Sequence, residues 1–247
     1  MDYQSFPDAA PRRSRIDRIQ AFFEVLLLSG LVSSFAAALI FSAFRIQNIG
    51  LLLTKDAQLI SFFLLLESAL TFVILAIVLS VHRETLGNLG LRRDYWKRNA
   101  FVGLALVPLL FLINAVVAYI FKVCLPKYYI EENPLTQMIQ TPQQLALFIA
   151  AALIAGGIKE ELQRAFILNR FRTYLGGAGV GLVIWSIAFG AGHYVQGVQG
   201  VVIAAMYGFF FGAIYLLSGS LIAPIVAHGA YDTLALLAYW FFADQMK

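Results

Sequence analysis

Five ionisable side chains lie inside otherwise apolar stretches in the second half of the sequence: Glu160, Glu161, His193, His228 and Asp232. An ionisable group at membrane depth costs roughly 2.5 kcal/mol or more, so such groups normally face the protein interior or a water-filled cavity. A carboxylate beside a histidine can take a proton from water and deliver the hydroxide to a carbonyl carbon. A second histidine with a polar partner can stabilise the oxyanion that forms. These residue types therefore predict a hydrolytic site within the membrane.

The spacing of these residues indicates which of them share a helical face. Three pairs are four residues apart: Glu160 and Arg164, Phe189 and His193, His228 and Asp232. Residues one turn apart lie above one another on a helix, so Glu160 and Arg164 are expected to form an ion pair. Such a pair could also do no more than neutralise two buried charges. Glu161 lies about 100° further round the helix, so the two carboxylates need not share a role.

The depth of these residues is a second indication of a shared site. With a rise of about 1.5 Å per residue from the predicted cytoplasmic helix ends, Glu160, His193 and His228 all lie about 14–22 Å deep. Three helices thus carry ionisable groups to one layer near the middle of the membrane. We expect these groups to meet there.

A divalent metal is an alternative use of the same residues. Histidine and carboxylate side chains can hold zinc with one position left open for water. The sequence has no His-Glu-x-x-His motif, so the usual zinc-protease pattern is absent. Cys124 is the one cysteine, which excludes an intrachain disulfide and a cysteine-rich metal cluster.

The elements that must position these residues are membrane-spanning helices. The chain has 247 residues, of which 60% are hydrophobic and 13% charged, and its mean hydropathy is +0.78. Several apolar stretches exceed the roughly 20 residues that a helix needs to cross a bilayer. We predict an all-α, polytopic membrane helix bundle with about seven to eight transmembrane helices. The seven that can be delimited lie near residues 21–44, 57–81, 99–121, 143–169, 178–194, 199–217 and 221–242.

The basic residues flank the predicted spans instead of forming one soluble face. The net charge of +4 therefore does not indicate a nucleic-acid partner, and membrane lipids are the expected surroundings. Basic segments alternate with base-poor loops, such as residues 45–56, in the pattern of the positive-inside rule. We predict an integral protein of a bacterial or other cell membrane, with its N-terminus in the cytoplasm.

Composition divides the chain into three parts. Residues 1–19 are predicted to form a basic cytoplasmic arm, 20–142 a transmembrane scaffold and 143–242 the catalytic helical core. The core is rich in glycine, and the small-xxx-small pattern of Gly208 and Gly212 favours close helix packing. Glu67 is buried in the second predicted span without a motif around it, and we interpret it as a structural partner or cavity liner.

The three spaced pairs, in this order on late spans, resemble the motifs of a known family of membrane proteases. Glu160-Glu161 with Arg164, Phe189-x-x-x-His193 and His228-x-x-x-Asp232 are similar to those of the CAAX-protease and bacteriocin-processing family (CPBP, or Abi). This family includes the type II CAAX prenyl proteases. The resemblance covers about residues 143–240.

The resemblance implies an intramembrane endopeptidase that acts on a membrane protein or a lipidated peptide. By analogy with the family, Glu160 and His193 would activate water, and His228 with Asp232 would form the oxyanion site. Arg164 and Phe189 would support them. Members have been labelled metalloproteases, although a glutamate-type mechanism requires no cofactor.

The first motif departs from the family in its spacing. Two residues separate Glu161 from Arg164, whereas the family has three at this point. Aligned on Arg164, the first family glutamate falls on Lys159; aligned on the glutamate pair, the arginine is displaced by about 100°. The catalytic base can therefore be Glu160 or Glu161. Asp232 stands where the family also has Asn, and an aspartate there must orient His228 or be protonated, since an ionised carboxylate repels an oxyanion.

Two other functions are compatible with the same residues. A non-catalytic membrane scaffold or immunity protein of the same fold would account for the altered first motif. A proton-coupled transporter could use the buried carboxylates as a relay, although the sequence shows no convincing internal repeat.

Overall fold

The computed structural model describes residues 14–44 and 56–242, and these form a bundle of helices with no strand among them. The predicted all-α class is therefore confirmed. The α-helices are α1 Arg15–Leu28, α2 Leu31–Ala43, α3 Ala57–Val81, α4 Trp96–Cys124, α5 Pro134–Gln137, α6 Pro142–Ala152, α7 Glu161–Tyr174, α8 Ala178–Gly192, α9 Gly197–Ser218 and α10 Ile222–Phe242. A π-helical segment, Leu153–Glu160, joins α6 to α7, and 3₁₀ turns occur at Pro126–Tyr128 and Tyr194–Gln196.

Four helices of the described chain are long and apolar enough to cross a membrane: α3, α4, α9 with its preceding turn, and α10. The pair α1 and α2 is a fifth candidate span. The predicted total of seven to eight spans is not confirmed. Helix α8 is apolar but has only 15 residues, about 22 Å of helix. The predicted span 143–169 is helical throughout, but charged residues interrupt its apolar character near Lys159 and Arg164.

The first predicted span is bent. The span predicted near residues 21–44 is divided between two helices, because α1 and α2 meet at an angle of 42°. Gly30 begins α2 with a φ of 92°, a left-handed conformation that glycine adopts without steric cost. The Ser29 hydroxyl donates a hydrogen bond to the Leu26 carbonyl at the end of α1.

A long helical run from α6 to α7 carries the first motif. Thr141 caps α6 in a capping box with Gln144, and Pro142 occupies its first turn, where a missing N–H costs nothing. Gly157 in the π-helical segment packs directly on α10, since a Cβ there would lie 3.2 Å from the Cα of Gly229. The π-helical segment and α10 are therefore in backbone contact.

The predicted close packing at Gly208 and Gly212 is confirmed. A Cβ at Gly208 would lie 3.2 Å from the Cα of Ser186, and one at Gly212 would lie 2.4 Å from Leu182 Cδ1. Both neighbours belong to α8, so α8 and α9 approach each other along a stripe of small residues. This packing brings the α9 aromatic side chains close to α7.

Some predictions lie partly outside the described residues. Of the predicted arm 1–19, residues 1–13 are not described, and the remainder forms the N-cap and first turn of α1, with a capping box between Ser14 and Asp17. Residues 45–55 of the base-poor loop are likewise outside the described ranges. The domain boundaries and the cytoplasmic N-terminus stay predictions.

Candidate active site

His228 on α10 is the centre of the polar cluster. Its Nδ1 lies 2.8 Å from Glu161 Oε1, within hydrogen-bonding distance. Its Nε2 lies 3.6 Å from Asp232 Oδ2 and 3.9 Å from Glu160 Oε2. Three carboxylates, one each from the π-helical segment, α7 and α10, therefore surround one imidazole, and the two edges of the ring face different carboxylates.

Glu161 is the buried support of this cluster. Its side chain is fully buried, and Oε1 contacts both His228 and the guanidinium of Arg164. The predicted pairing of Arg164 with Glu160 is wrong. Glu161 is the first residue of α7 and lies about one α-helical turn before Arg164, whereas Glu160 ends the π-helical segment, so the regular one-turn relationship does not hold across the junction.

Two aromatic rings enclose the arginine. The Arg164 guanidinium carbon lies 4.8 Å from the ring centroid of Phe189 and 5.5 Å from that of Phe211. A cation over an aromatic face is stabilised by the ring quadrupole, and this compensates in part for burial of the charge. Phe189, predicted as a supporting residue, therefore contacts the first motif directly.

Phe211 is a member of the site that the sequence analysis missed. Its ring stacks on the His228 imidazole, with centroids 4.7 Å apart and planes 21° apart. Phe211 is fully buried and lies between the two glycines of the packing motif on α9. Its position in that motif predicted packing, but nothing in the sequence indicated which side chain it would contact.

Glu160 and Asp232 occupy the accessible edge of the cluster. Their side chains are 18% and 26% exposed in the isolated chain, while those of Glu161 and Arg164 are fully buried. Gly156 borders the same edge, because a Cβ there would lie 2.6 Å from Asp232 Oδ2 and 3.4 Å from His228 Nε2. The absence of a side chain at Gly156 therefore leaves room for the polar groups.

His193 lies at the end of α8, separate from the carboxylates. Its Nδ1 is 2.8 Å from the Phe189 carbonyl oxygen, and its ring lies 4.6 Å from the Phe189 ring. In the described structure it forms no hydrogen bond or ion pair with Glu160 or Glu161. If Nδ1 donates to the carbonyl, Nε2 is left as the acceptor nitrogen.

The predicted residues thus fall into two groups. The structure brings together Glu160, Glu161, His228 and Asp232, with Arg164 and Phe189 packed behind them. His193 reaches this group through the ring of Phe189.

The arrangement gives no support to the metal-site alternative. Within residues 14–44 and 56–242, no three His, Cys, Asp or Glu side chains are arranged to hold a metal ion. The donor set at the accessible edge therefore does not fit a zinc centre with three protein ligands.

The fold and the cluster define a helical membrane protein with a buried glutamate and histidine site. Residues 141–234 match the family model described as Type II CAAX prenyl endopeptidase Rce1-like, which confirms the predicted resemblance over this segment. The segment contains the predicted site residues Glu160, Glu161, His193, His228 and Asp232. At the family level the match supports a CAAX protease-like intramembrane endopeptidase, a hydrolase with a membrane-associated peptide substrate. Together with the apolar helices it indicates an integral membrane protein. No curated protein and no solved structure gave a significant match to the chain.

Proposed function

We propose that this protein is an intramembrane endopeptidase of the CAAX prenyl protease type, in which Glu160 activates the attacking water. One observation carries the choice of base. Glu161 is fully buried and engaged by Arg164 and His228, whereas Glu160 lies at the accessible edge and has a partly exposed side chain. A general base must reach the water from which it takes the proton.

In the proposed reaction, Glu160 takes a proton from water while the oxygen attacks the scissile carbonyl carbon. The carbonyl π electrons move to oxygen and form the oxyanion. When the tetrahedral intermediate collapses, the C–N bond breaks and the amine leaves with the proton returned by Glu160. The products are a new carboxylate and a new amine, so no other reactant is needed.

His228 is the proposed oxyanion donor. Glu161 accepts from Nδ1, which directs Nε2 towards Glu160 and Asp232. Among the described residues, Arg164 is the one lysine or arginine paired with these three carboxylates, through Glu161, so an imidazolium at His228 would bring the local charge closer to zero. Its Nε2–H would then point at the accessible edge, where an oxyanion would be stabilised without reorganisation.

Asp232 and His193 complete the proposed site. Asp232 is one turn beyond His228, and its Oδ2, which lies 3.6 Å from Nε2, is proposed to orient that edge of the ring. His193 is proposed to help Glu160 move the water proton, with its Nδ1 held by the Phe189 carbonyl. Because no contact links His193 to Glu160 in the described structure, we propose that bound substrate and water bridge the two.

The shortened first motif does not remove its internal ion pair. Arg164 contacts Glu161 across the shorter spacing, so the support of His228 is retained. This observation favours an active enzyme over a non-catalytic scaffold.

The test is cleavage of a synthetic farnesylated peptide with a CAAX C-terminus by the purified protein in liposomes, in water enriched in ¹⁸O. We expect one cleavage near the lipidated cysteine, with one ¹⁸O in the new carboxylate as measured by mass spectrometry. Matched liposomes containing the Glu160→Gln variant should release product at least about a hundredfold more slowly. Release of product without ¹⁸O, or absence of product from folded wild-type protein, would refute the proposal.

A further inference from the structure

Lys159 is a buried lysine directly before Glu160, and its charge is neutralised by a residue far away in the sequence. Its Nζ lies 2.7 Å from Glu67 Oε2 on α3, and the two side chains are only 8% and 3% exposed. The ion pair lies outside the cluster around His228. It therefore connects the end of the π-helical segment to the N-terminal helices.

Glu67 is itself held on both sides of the carboxylate. Its Oε1 accepts hydrogen bonds from Ser33 Oγ at 2.7 Å and from Thr71 Oγ1 at 3.2 Å. Thr71 Oγ1 also lies 2.9 Å from Ser33 Oγ, so residues of α2 and α3 fix the carboxylate jointly. Lys159 thus binds to an anchor whose position does not depend on Lys159 alone.

Lys159 belongs to a polar stripe along one face of the π-helical segment and α7. Gln163 Nε2 donates to the Leu28 carbonyl at 2.8 Å, and Arg170 Nε donates to Glu24 Oε2 at 2.6 Å. At 100° per residue, Gln163 and Arg170 lie within about 20° of each other on α7. The acceptors are in the bent pair α1 and α2 or beside it in α3.

The site residues lie on a different face of the same helical run. On the same scale, Glu161 and Arg164 lie about 160° and 100° from Gln163 on α7. Contacts of the polar stripe with the N-terminal helices therefore set the rotation of the run about its axis. That rotation decides whether Glu160 faces His228.

The π-helical segment needs such support. π-Helical hydrogen bonding is rare and usually marks functional sites. Gly156 and Gly157 lower the intrinsic stability of the segment, so tertiary contacts must maintain it. Gly157 packs on Gly229 of α10 at one side, and Lys159 pairs with Glu67 at the other.

We infer that Lys159 is a positioning residue, which holds the Glu160 carboxylate towards His228 through its buried ion pair with Glu67. This inference rests on the proposed function, because it assigns Glu160 as the base. It also gives the N-terminal helices a role in the site, since Glu67 lies outside the segment 141–234 that matches the family.

The test uses the double variant Lys159→Met/Glu67→Gln in the full-length protein. Removing both charges leaves no unpaired buried ion, so the thermal unfolding temperature should stay close to that of wild type. Amide hydrogen exchange in residues 153–161 should become faster, because the segment loses its anchor. The kcat for the farnesylated peptide should fall about tenfold to a hundredfold with KM nearly unchanged, as expected for a misplaced base.

Three further variants make the result decisive. Lys159→Arg keeps the charge and should retain most of the kcat. Ser33→Ala removes one hydrogen bond to Glu67 without changing charge. It should speed amide exchange in residues 153–161 and lower kcat, both more mildly than the double variant, and it replaces the double variant if that protein does not fold. Glu84→Gln is the matched control, because it alters the ion pair with Arg170 on the same stripe and should leave exchange in residues 153–161 unchanged.

Unchanged exchange in residues 153–161 of the folded double variant, or of Ser33→Ala if the double variant does not fold, would overturn the inference. So would faster exchange with a wild-type kcat. If wild-type protein cleaves no peptide, the proposed function fails, whereas the exchange measurement still decides whether Lys159 holds the segment.

Discussion

Glu161 Oε1 lies 2.8 Å from His228 Nδ1 and also contacts the Arg164 guanidinium. One fully buried carboxylate thus joins the first and third motifs. The two adjacent glutamates therefore have different environments. Glu161 is buried against Arg164 and His228, whereas Glu160 lies at the accessible edge of the cluster. This difference leads to different expectations for the two residues.

Glu161→Gln should destabilise the protein strongly. The substitution leaves Arg164 buried without a carboxylate partner, which typically costs about 3–5 kcal/mol. Thermal unfolding in detergent should therefore occur at a clearly lower temperature than in wild type. Glu160→Gln is the matched control, because it removes an adjacent carboxylate that has no arginine partner. Equal unfolding temperatures for the two variants would show that the ion pair between Glu161 and Arg164 does not stabilise the folded protein.

Gly156→Ala should reduce activity more than stability. The added Cβ would lie 2.6 Å from Asp232 Oδ2, so Asp232 or the π-helical segment must move. Overpacking of this kind costs about 1–3 kcal/mol, and the displacement falls on the catalytic edge. We expect kcat to fall about tenfold or more.

The control for that variant is Gly179→Ala, since a Cβ at Gly179 would meet nothing within 4 Å. Its kcat for the farnesylated peptide and its thermal unfolding temperature should both match those of wild type. Full activity of Gly156→Ala would mean that Asp232 and His228 do not need the space that the glycine provides.

Phe211→Ala should damage both stability and the site. It removes the ring stacked on His228 and one of the two rings that enclose Arg164. Loss of a buried phenylalanine typically costs about 3–5 kcal/mol. Phe209→Ala is the comparison, because Phe209 is two residues away on α9 and 50% exposed. Chemical or thermal unfolding of both variants measures the difference, and similar small losses would contradict the packing described here.

A chelator should leave the rate unchanged. The donor groups at the accessible edge do not fit a three-ligand metal centre, and the proposed mechanism relies on Glu160 to activate water. The measurement is peptide cleavage after dialysis against 1,10-phenanthroline, with the dialysis repeated in EDTA. Loss of activity that added zinc restores would instead support the metal alternative.

Helical spacing predicted the local relationships well where the helix is regular. His228 and Asp232 are four residues apart in α10, and their side chains approach to 3.6 Å as expected for one turn. Phe189 and His193 are likewise in ring contact. The four-residue spacing did not predict the partner of Arg164 correctly. The helix that carries Glu160 and Arg164 changes from π-helical to α-helical hydrogen bonding between Glu160 and Glu161.

Contacts between distant helices could not be predicted from one sequence. The pairing of Glu161 with His228 and that of Lys159 with Glu67 depend on how the helices pack, and neither has a local signal. The predicted count of spans is not confirmed, and apolar content alone does not show that α1 and α2 are bent or that α8 is short.

The most direct test of the account is the rate of peptide cleavage by Glu160→Gln compared with wild type in the same liposomes. The amide cannot accept the water proton, so the rate should fall about a hundredfold to ten-thousandfold. Its unfolding temperature should stay close to that of wild type, and the exposed-residue control Glu131→Gln should be fully active. A folded Glu160→Gln variant that cleaves the peptide at the wild-type rate would contradict the assignment of Glu160 as the base.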